Sequence, residues 1–184
     1  MVKINIVVAD IADLGVDAIV CSAHKNFLPQ RGLMAHIAKR AGDKFSQQCE
    51  TIGKSQICET KILGGYDLPA KYVICTVTPR WSSGDQYGGE CVSQLQTCYR
   101  RTLEIAIKHQ VKSLAFAALG SGTHHMPQQI VSRQCFDSLN HLADQLDSIT
   151  ICLKEEAARG VWESEFNRYV ADLKNISNSH SETL

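Results

Sequence analysis

Two periodicities take turns along this chain, and their alternation restricts the fold more than any single residue does. Lys3–Val8 alternates polar and β-branched side chains, as a strand does, and residues 17–20 form a second short apolar run. Residues 32–48 then carry Leu33, Ile37, Ala41 and Phe45 at four-residue spacing, which predicts one helix. Residues 60–63 and Tyr72–Val77 read as two more strands, with a turn at Leu68-Pro69 between them. Residues 92–109 repeat Leu95, Tyr99, Leu103 and Ile107 on one helical face. A small-residue strand at 113–118 follows, and Pro127 suits the first turn of a helix that runs to about Leu142. Ser148–Leu153 is the last strand and residues 162–173 the last helix. Residues 80–89, rich in Ser, Gly and Asp, and residues 120–126 read as loops.

Strands alternating with helices imply an α/β layer sandwich with a largely parallel sheet. In such sheets ligands bind outside the carboxyl ends of the strands. The loops that belong there are residues 10–14, 21–32, 78–89 and 119–126. One domain over residues 1–174 accounts for all the elements, and the polar stretch 175–184 is expected to be a disordered tail.

Charge narrows the partners. Lys plus Arg and Asp plus Glu both number 19, so no broad field attracts nucleic acid or an anionic membrane. No apolar run approaches the roughly 20 residues of a membrane span. The eight cysteines, Cys21, Cys49, Cys58, Cys75, Cys91, Cys98, Cys135 and Cys152, include no CxxC pair, and no secretory leader precedes them. They read as reduced core thiols of a cytoplasmic protein, without a structural zinc site. The adjacent His124 and His125 do not supply a closed ligand set, so neither a metal nor a cofactor is expected.

The loops carry a family pattern. Ala9-Asp10-Ile11-Ala12 ends the first strand, and residues 16–24 read Val-Asp-Ala-Ile-Val-Cys-Ser-Ala-His. Pro29-Gln30-Arg31-Gly32-Leu33 opens the first helix, and Tyr66-Asp67-Leu68-Pro69-Ala70-Lys71-Tyr72 forms a hairpin. Pro79-Arg80-Trp81 follows the next strand. Cys98-Tyr99-Arg100 lies in the long helix, and Ala118-Leu119-Gly120-Ser121-Gly122 ends the fifth strand. In order and spacing this resembles the macro domain family, a module that binds ADP-ribose, over residues 2–173. The resemblance implies a three-layer α/β/α sandwich around a central mixed, largely parallel sheet. It implies that Asp10 and Ile11 meet the adenine. Ala23, Gly32 and Leu33 on one side and Gly120, Ser121, Gly122 and Thr123 on the other would contact the ligand, whose diphosphate the two loops hold, and His124 stands where the family packs an aromatic on the distal ribose. Backbone N–H groups at a helix N-terminus can hold such an anion without cationic side chains. Gly32 and Gly122 would let the backbone approach closely, with their two loops facing each other across one cleft. Asp10 also fits a plain helix N-cap.

The chain departs from the family at its catalytic loop. Cys21 and His24 stand where the family has two asparagines, the second of which orients the distal ribose and a water. Pro29, Gln30 and Arg31 stand where it has glycines, Met34 where hydrolytic members carry an aspartate base, and Leu153 where an aromatic stacks on adenine. His24 is the one candidate catalytic group, since imidazole suits general acid–base work. The expected function is binding of ADP-ribose, free or protein-linked, with weak or no hydrolysis. The alternatives are an ADP-ribosyl hydrolase or O-acetyl-ADP-ribose deacetylase that uses His24, and a scaffold for another nucleotide or a protein partner.

Overall fold

Six strands and five helices make up the fold in a computed structural model that describes residues 2–81, 89–139 and 142–181. The strands are β1 Lys3–Val8, β2 Ala18–Ala23, β3 Thr60–Gly64, β4 Tyr72–Val77, β5 Ser113–Ala117 and β6 Ser148–Leu153. The helices are α1 Gly32–Ala41, α2 Asp43–Ile52, α3 Gly89–Lys108, α4 Gln128–Ser138 and α5 Arg159–Ser181. The strands form one sheet in the order β1-β6-β5-β2-β4-β3. Every neighbouring pair is parallel except β3 with β4. The sheet is therefore mixed and largely parallel, as the alternation predicts.

Each strand points successive side chains to opposite faces, and the two faces carry separate cores. Val20, Ile74, Leu114, Phe116, Ile149 and Ile151 pack with Leu95, Tyr99 and Leu103 of α3, Val131 and Phe136 of α4, and Trp162 of α5. Ile19, Cys21, Val73, Cys75, Ala115 and Cys152 pack on the other face with Ile37 of α1 and Phe45 of α2. Three helices thus cover one face and two the other, which makes the three layers. At the amino ends of the strands, the Asp17 carboxylate accepts the main-chain N–H groups of Lys112 and Ser113, at 2.8 and 2.9 Å, and ties β2 to the start of β5. Those two bonds hold its pKa below the ordinary value.

β2 runs on to Ala23 past the expected 17–20, α5 begins at Arg159 instead of 162, and three further boundaries differ from the sequence expectation. The helix predicted over residues 32–48 is two helices broken at Gly42, whose φ is +86°. A Cβ there would lie 2.5 Å from Asp67 Oδ2, so the chain turns at the one residue that lacks it. The fourth helix stops at Ser138 instead of about Leu142. Ser138 Oγ donates to Gln134 O at 2.6 Å, and the Leu139 carbonyl accepts from Tyr169 Oη at 2.8 Å, which fixes the exit toward α5. The last helix continues to Ser181 and takes in residues 175–181, which the polar composition assigns to a tail. No Gly or Pro follows Gly160, and once a helix is nucleated each further residue adds a hydrogen bond. Residues 182–184, and most of the loop expected at 80–89, lie outside the described residues.

Candidate functional site

The strand order creates a crevice. β2 and β5 are parallel neighbours, but the chain leaves β2 toward α1 on one face and leaves β5 toward α4 on the other. Their carboxyl-end loops therefore separate, which is where α/β sheets open a ligand cleft. The β2 loop runs from His24 to Arg31 and delivers Gly32, φ +65°, as the first residue of α1. Arg31 occupies the N-cap position but makes no side-chain bond to the first turn, so the N-terminus of α1 is open to an anion. The β5 loop faces it: a Cβ added to Gly32 would lie 3.6 Å from Thr123 Cγ2.

The β5 loop is held by its own main chain. Ser121 N and Oγ both donate to Ala118 O, at 3.2 and 2.8 Å. His125 N donates to Gly122 O and Met126 N to Gly120 O, both at 3.0 Å. Gly120 has φ +87°, and a Cβ on it would sit 2.8 Å from Met126 Sδ, so this position requires glycine. Gly122 has open space around it and no positive φ, so the fold itself does not require glycine there. A Cβ added to Gly122 would meet nothing within 4 Å.

Two histidines stand at one end of the cleft. His24 follows β2 and is exposed, with Nδ1 2.9 Å from Asn26 Oδ1. Leu28 N donates to the same Oδ1 at 3.0 Å, and Asn26 N donates to His24 Nδ1 at 3.4 Å, so Asn26 meets the ring with both a donor and an acceptor. His124 is half-buried, with Nδ1 2.8 Å from Thr78 Oγ1. Burial of the His124 ring holds its pKa below the usual histidine value, with Arg80, His24 and His125 adding to the effect against a raising contact from Pro79. Among the described residues, no group of three or more His, Cys, Asp or Glu is placed to hold a metal.

Asp10 stands at the end of β1. Its Oδ1 accepts Ala12 N at 2.9 Å, capping a single 3-10 turn over Ile11–Asp13. Its Oδ2 lies 2.7 Å from His36 Nε2 and 3.3 Å from Arg40 Nη1. Partial burial works against ionisation of Asp10, but the Ala12 bond and the His36 and Arg40 contacts outweigh it and lower its pKa.

The sequence pattern of the macro domain family matches residues 20–135. A macro domain-containing protein of Ralstonia nicotianae is 31% identical over 159 residues, covering 86% of this chain and 91% of that one. This chain belongs to the macro domain family. The ADP-ribose glycohydrolase MACROD1 of mouse is 30% identical over 171 residues, covering 91% of this chain but only 52% of that protein, so the chain spans about half its length. The Trypanosoma brucei macrodomain, solved in complex with ADP-ribose, superposes with a TM-score of 0.79 at 26% identity, over 88% of this chain and 68% of that one.

On this macro domain the expected site residues fall into two kinds. Gly32, Gly120, Ser121, Gly122, Thr123, His124 and His24 gather at the β2 and β5 loops, and Asp10 lies at the end of β1. Ile11 and Ala23 are buried at 4% and 3% exposure, so only their main chain can meet a ligand, and Leu33 packs against the α1 side of the core. The Ser121 hydroxyl and N–H both serve the Ala118 carbonyl. Met34 and Leu153 are buried, and Cys21 is fully buried with Sγ 3.5 Å from Cys75 Sγ, which removes it as a nucleophile. Sequence reasoning missed His36, Arg40, Asn26 and Thr78. The i, i+4 spacing of His36 and Arg40 and the His-x-Asn spacing of His24 and Asn26 were the only signals, and both are common on surfaces.

Proposed function

We propose that this macro domain binds ADP-ribose, free or attached to a protein, in the cleft between the β2 and β5 loops, and hydrolyses such links weakly or not at all. The observation that carries the binding is the open N-terminus of α1 at Gly32 opposed to Thr123 of the β5 loop. A diphosphate suits the open helix N-terminus, because main-chain N–H groups and the helix dipole favour an anion with little help from side chains. The ADP-ribose bound by the trypanosomal relative supports the choice of ligand. Weak hydrolysis follows from Met34, buried at 3% exposure, which cannot accept a proton where the resemblance expects a base. A positioned acid–base group contributes typically 10² to 10⁴ in rate. A reducing cytoplasm suits a domain whose core holds seven buried cysteines.

Titration calorimetry with ADP-ribose tests the binding, with saturation at one site expected. The absence of saturable heat would leave the fold as a scaffold for another nucleotide or a protein partner.

A second reading, hydrolysis of ADP-ribosyl links or of O-acetyl-ADP-ribose, is favoured by one observation. His24 is exposed at the carboxyl end of β2, where Asn26 holds its ring through Nδ1, and imidazole suits general acid–base work. Robust turnover on mono-ADP-ribosylated protein, rising through the histidine pH range and abolished in His24→Ala, would establish that reading. Turnover that survives His24→Ala would exclude His24 from the chemistry.

A further inference from the structure

The cations of this chain are not all used alike. Six of the eight arginines hold a carboxylate or a main-chain carbonyl: Arg40, Arg100, Arg133, Arg159 and Arg168 lie in ion pairs, and Arg101 donates to Cys58 O at 3.0 Å. Among the described residues the guanidinium groups of the other two, Arg31 and Arg80, meet no partner, and both stand at the crest, before α1 and after β4. Two lysines without an ion pair join them. Ser55 N donates to Lys25 O at 2.6 Å, which brings Lys54, on the connector from α2 to β3, beside the β2 loop. Trp81 N donates to His124 O at 3.1 Å, which carries Arg80 across to the β5 loop. Lys25, Arg31, Lys54 and Arg80 are all exposed. The acids near them in the chain do not neutralise them. Glu59 is taken by Lys61 at 2.7 Å, Glu90 accepts Gln94 Nε2 at 2.9 Å, and Glu50, four residues before Lys54, makes no ion pair with it.

The other end of the crest differs. At the ends of β1 and β6, Asp10 and Asp13 face Arg40 and Glu156 faces Arg159, so both signs are present and paired. A ligand in the cleft therefore lies between an end of balanced charge and an end of one sign. An acidic chain attached to that ligand is drawn out over the positive end.

We propose that Lys25, Lys54, Arg80 and Arg31 form a docking surface for an acidic protein segment joined to the ADP-ribose, so that this domain binds the group more tightly where carboxylates flank its attachment point. The proposal rests on the nucleotide reading above and adds a partner to it. A nucleic acid strand fits the surface less well, because such sites combine a basic groove with aromatic platforms for the bases. Among the described residues the one exposed large hydrophobic side chain is Tyr66, on the turn that enters β4 at the opposite end of the sheet, and Trp81 packs against the core.

The test is calorimetry with free ADP-ribose and with two synthetic peptides that carry ADP-ribose on a glutamine amide, which resists hydrolysis. One peptide has Asp and Glu around the glutamine, the other Ser and Gly. At low salt the wild type is expected to bind the acidic peptide about tenfold tighter than the neutral one, since exposed pairs contribute a few fold each. The preference should fade at about 0.5 M salt. The variant Lys25→Ala, Lys54→Ala, Arg80→Ala removes three exposed side chains and keeps Arg31 beside the helix N-terminus, and circular dichroism checks that it folds. It should bind both peptides alike, and free ADP-ribose within about twofold of the wild type. Equal binding of the two peptides by the wild type overturns the docking surface, as does a preference that survives in the variant. A single-stranded oligonucleotide that binds the wild type more tightly than the acidic peptide, and is lost in the variant, gives the surface to nucleic acid and also overturns it. Failure of free ADP-ribose and both peptides to bind the folded wild type overturns the nucleotide reading, and the docking surface with it.

Discussion

The two loops that face each other across the crest differ in what side chains add to their main-chain closure. The β5 loop is closed by its own main chain: Gly120 turns at φ +87° against Met126, and Ser121, His125 and Met126 return their N–H groups to the carbonyls of Ala118, Gly122 and Gly120. The β2 loop has no glycine before Gly32; Phe27 N returns to His24 O at 2.8 Å and Gln30 N to Leu28 O at 2.9 Å, and side chains add to this main-chain closure. Asn26 Oδ1 bridges Leu28 N and the His24 ring, Ser55 N donates to Lys25 O at 2.6 Å, and Phe27, at φ +57° and with no exposed surface, plugs into the α1 side of the core. A loop closed by its main chain tolerates changes of side chain except where a Cβ does not fit. A loop hung on one buried aromatic depends on that residue, and it delivers the N-terminus of α1.

The largest expected effect is therefore on the β2 loop. Phe27→Ala should cost about 3 to 5 kcal/mol in urea unfolding and weaken ADP-ribose binding as α1 loses its anchor. A loss below about 1 kcal/mol would show that the loop stands without its plug. On the β5 loop two glycines two residues apart should behave differently. Gly120→Val should cost about 1 to 3 kcal/mol, because a β-branched residue is forced to positive φ against Met126. Gly122→Val should leave stability within about 0.5 kcal/mol, since nothing lies within 4 Å of its added Cβ, yet weaken ADP-ribose binding by filling the cleft. Equal stability losses at the two positions would erase the distinction, and unchanged affinity in Gly122→Val would move the ligand elsewhere.

The smallest effect couples the loops electrostatically. His24→Ala should raise the titration midpoint of His124, followed by its ring proton resonances, because His24 is one of the groups that depress it. The sign extends to stability. A histidine whose folded pKa is depressed contributes stability above its unfolded value, near 6.5, and loses it as pH falls through that range toward the folded value. An unmoved His124 midpoint in His24→Ala would mean that burial alone sets it.

What could be read from the sequence was what depends on period and local chemistry. Strand alternation and four-residue helical spacing determined the element order, and the crowding of Gly120, Ser121 and Gly122 at a strand end marked one wall of the cleft. The order of motifs was enough to recognise the macro domain fold. Gly42 was within the reach of the sequence only in hindsight, because four-residue spacing continues through it to Phe45, and it is Asp67, on a distant turn, that forbids a Cβ there. The same reason explains the site. Asp10 reads as both an N-cap and a ligand residue, and it does cap the Ile11–Asp13 turn, but whether its second oxygen is free depends on His36 and Arg40, 26 and 30 residues away. Which glycine is obligatory depends on where Met126 folds back, and which thiols are inert depends on the layers that bury them. Local sequence sets backbone periodicity because each residue feels its near neighbours. The tertiary structure alone decides which distant side chain occupies the space or the lone pair that a residue would otherwise offer to a ligand.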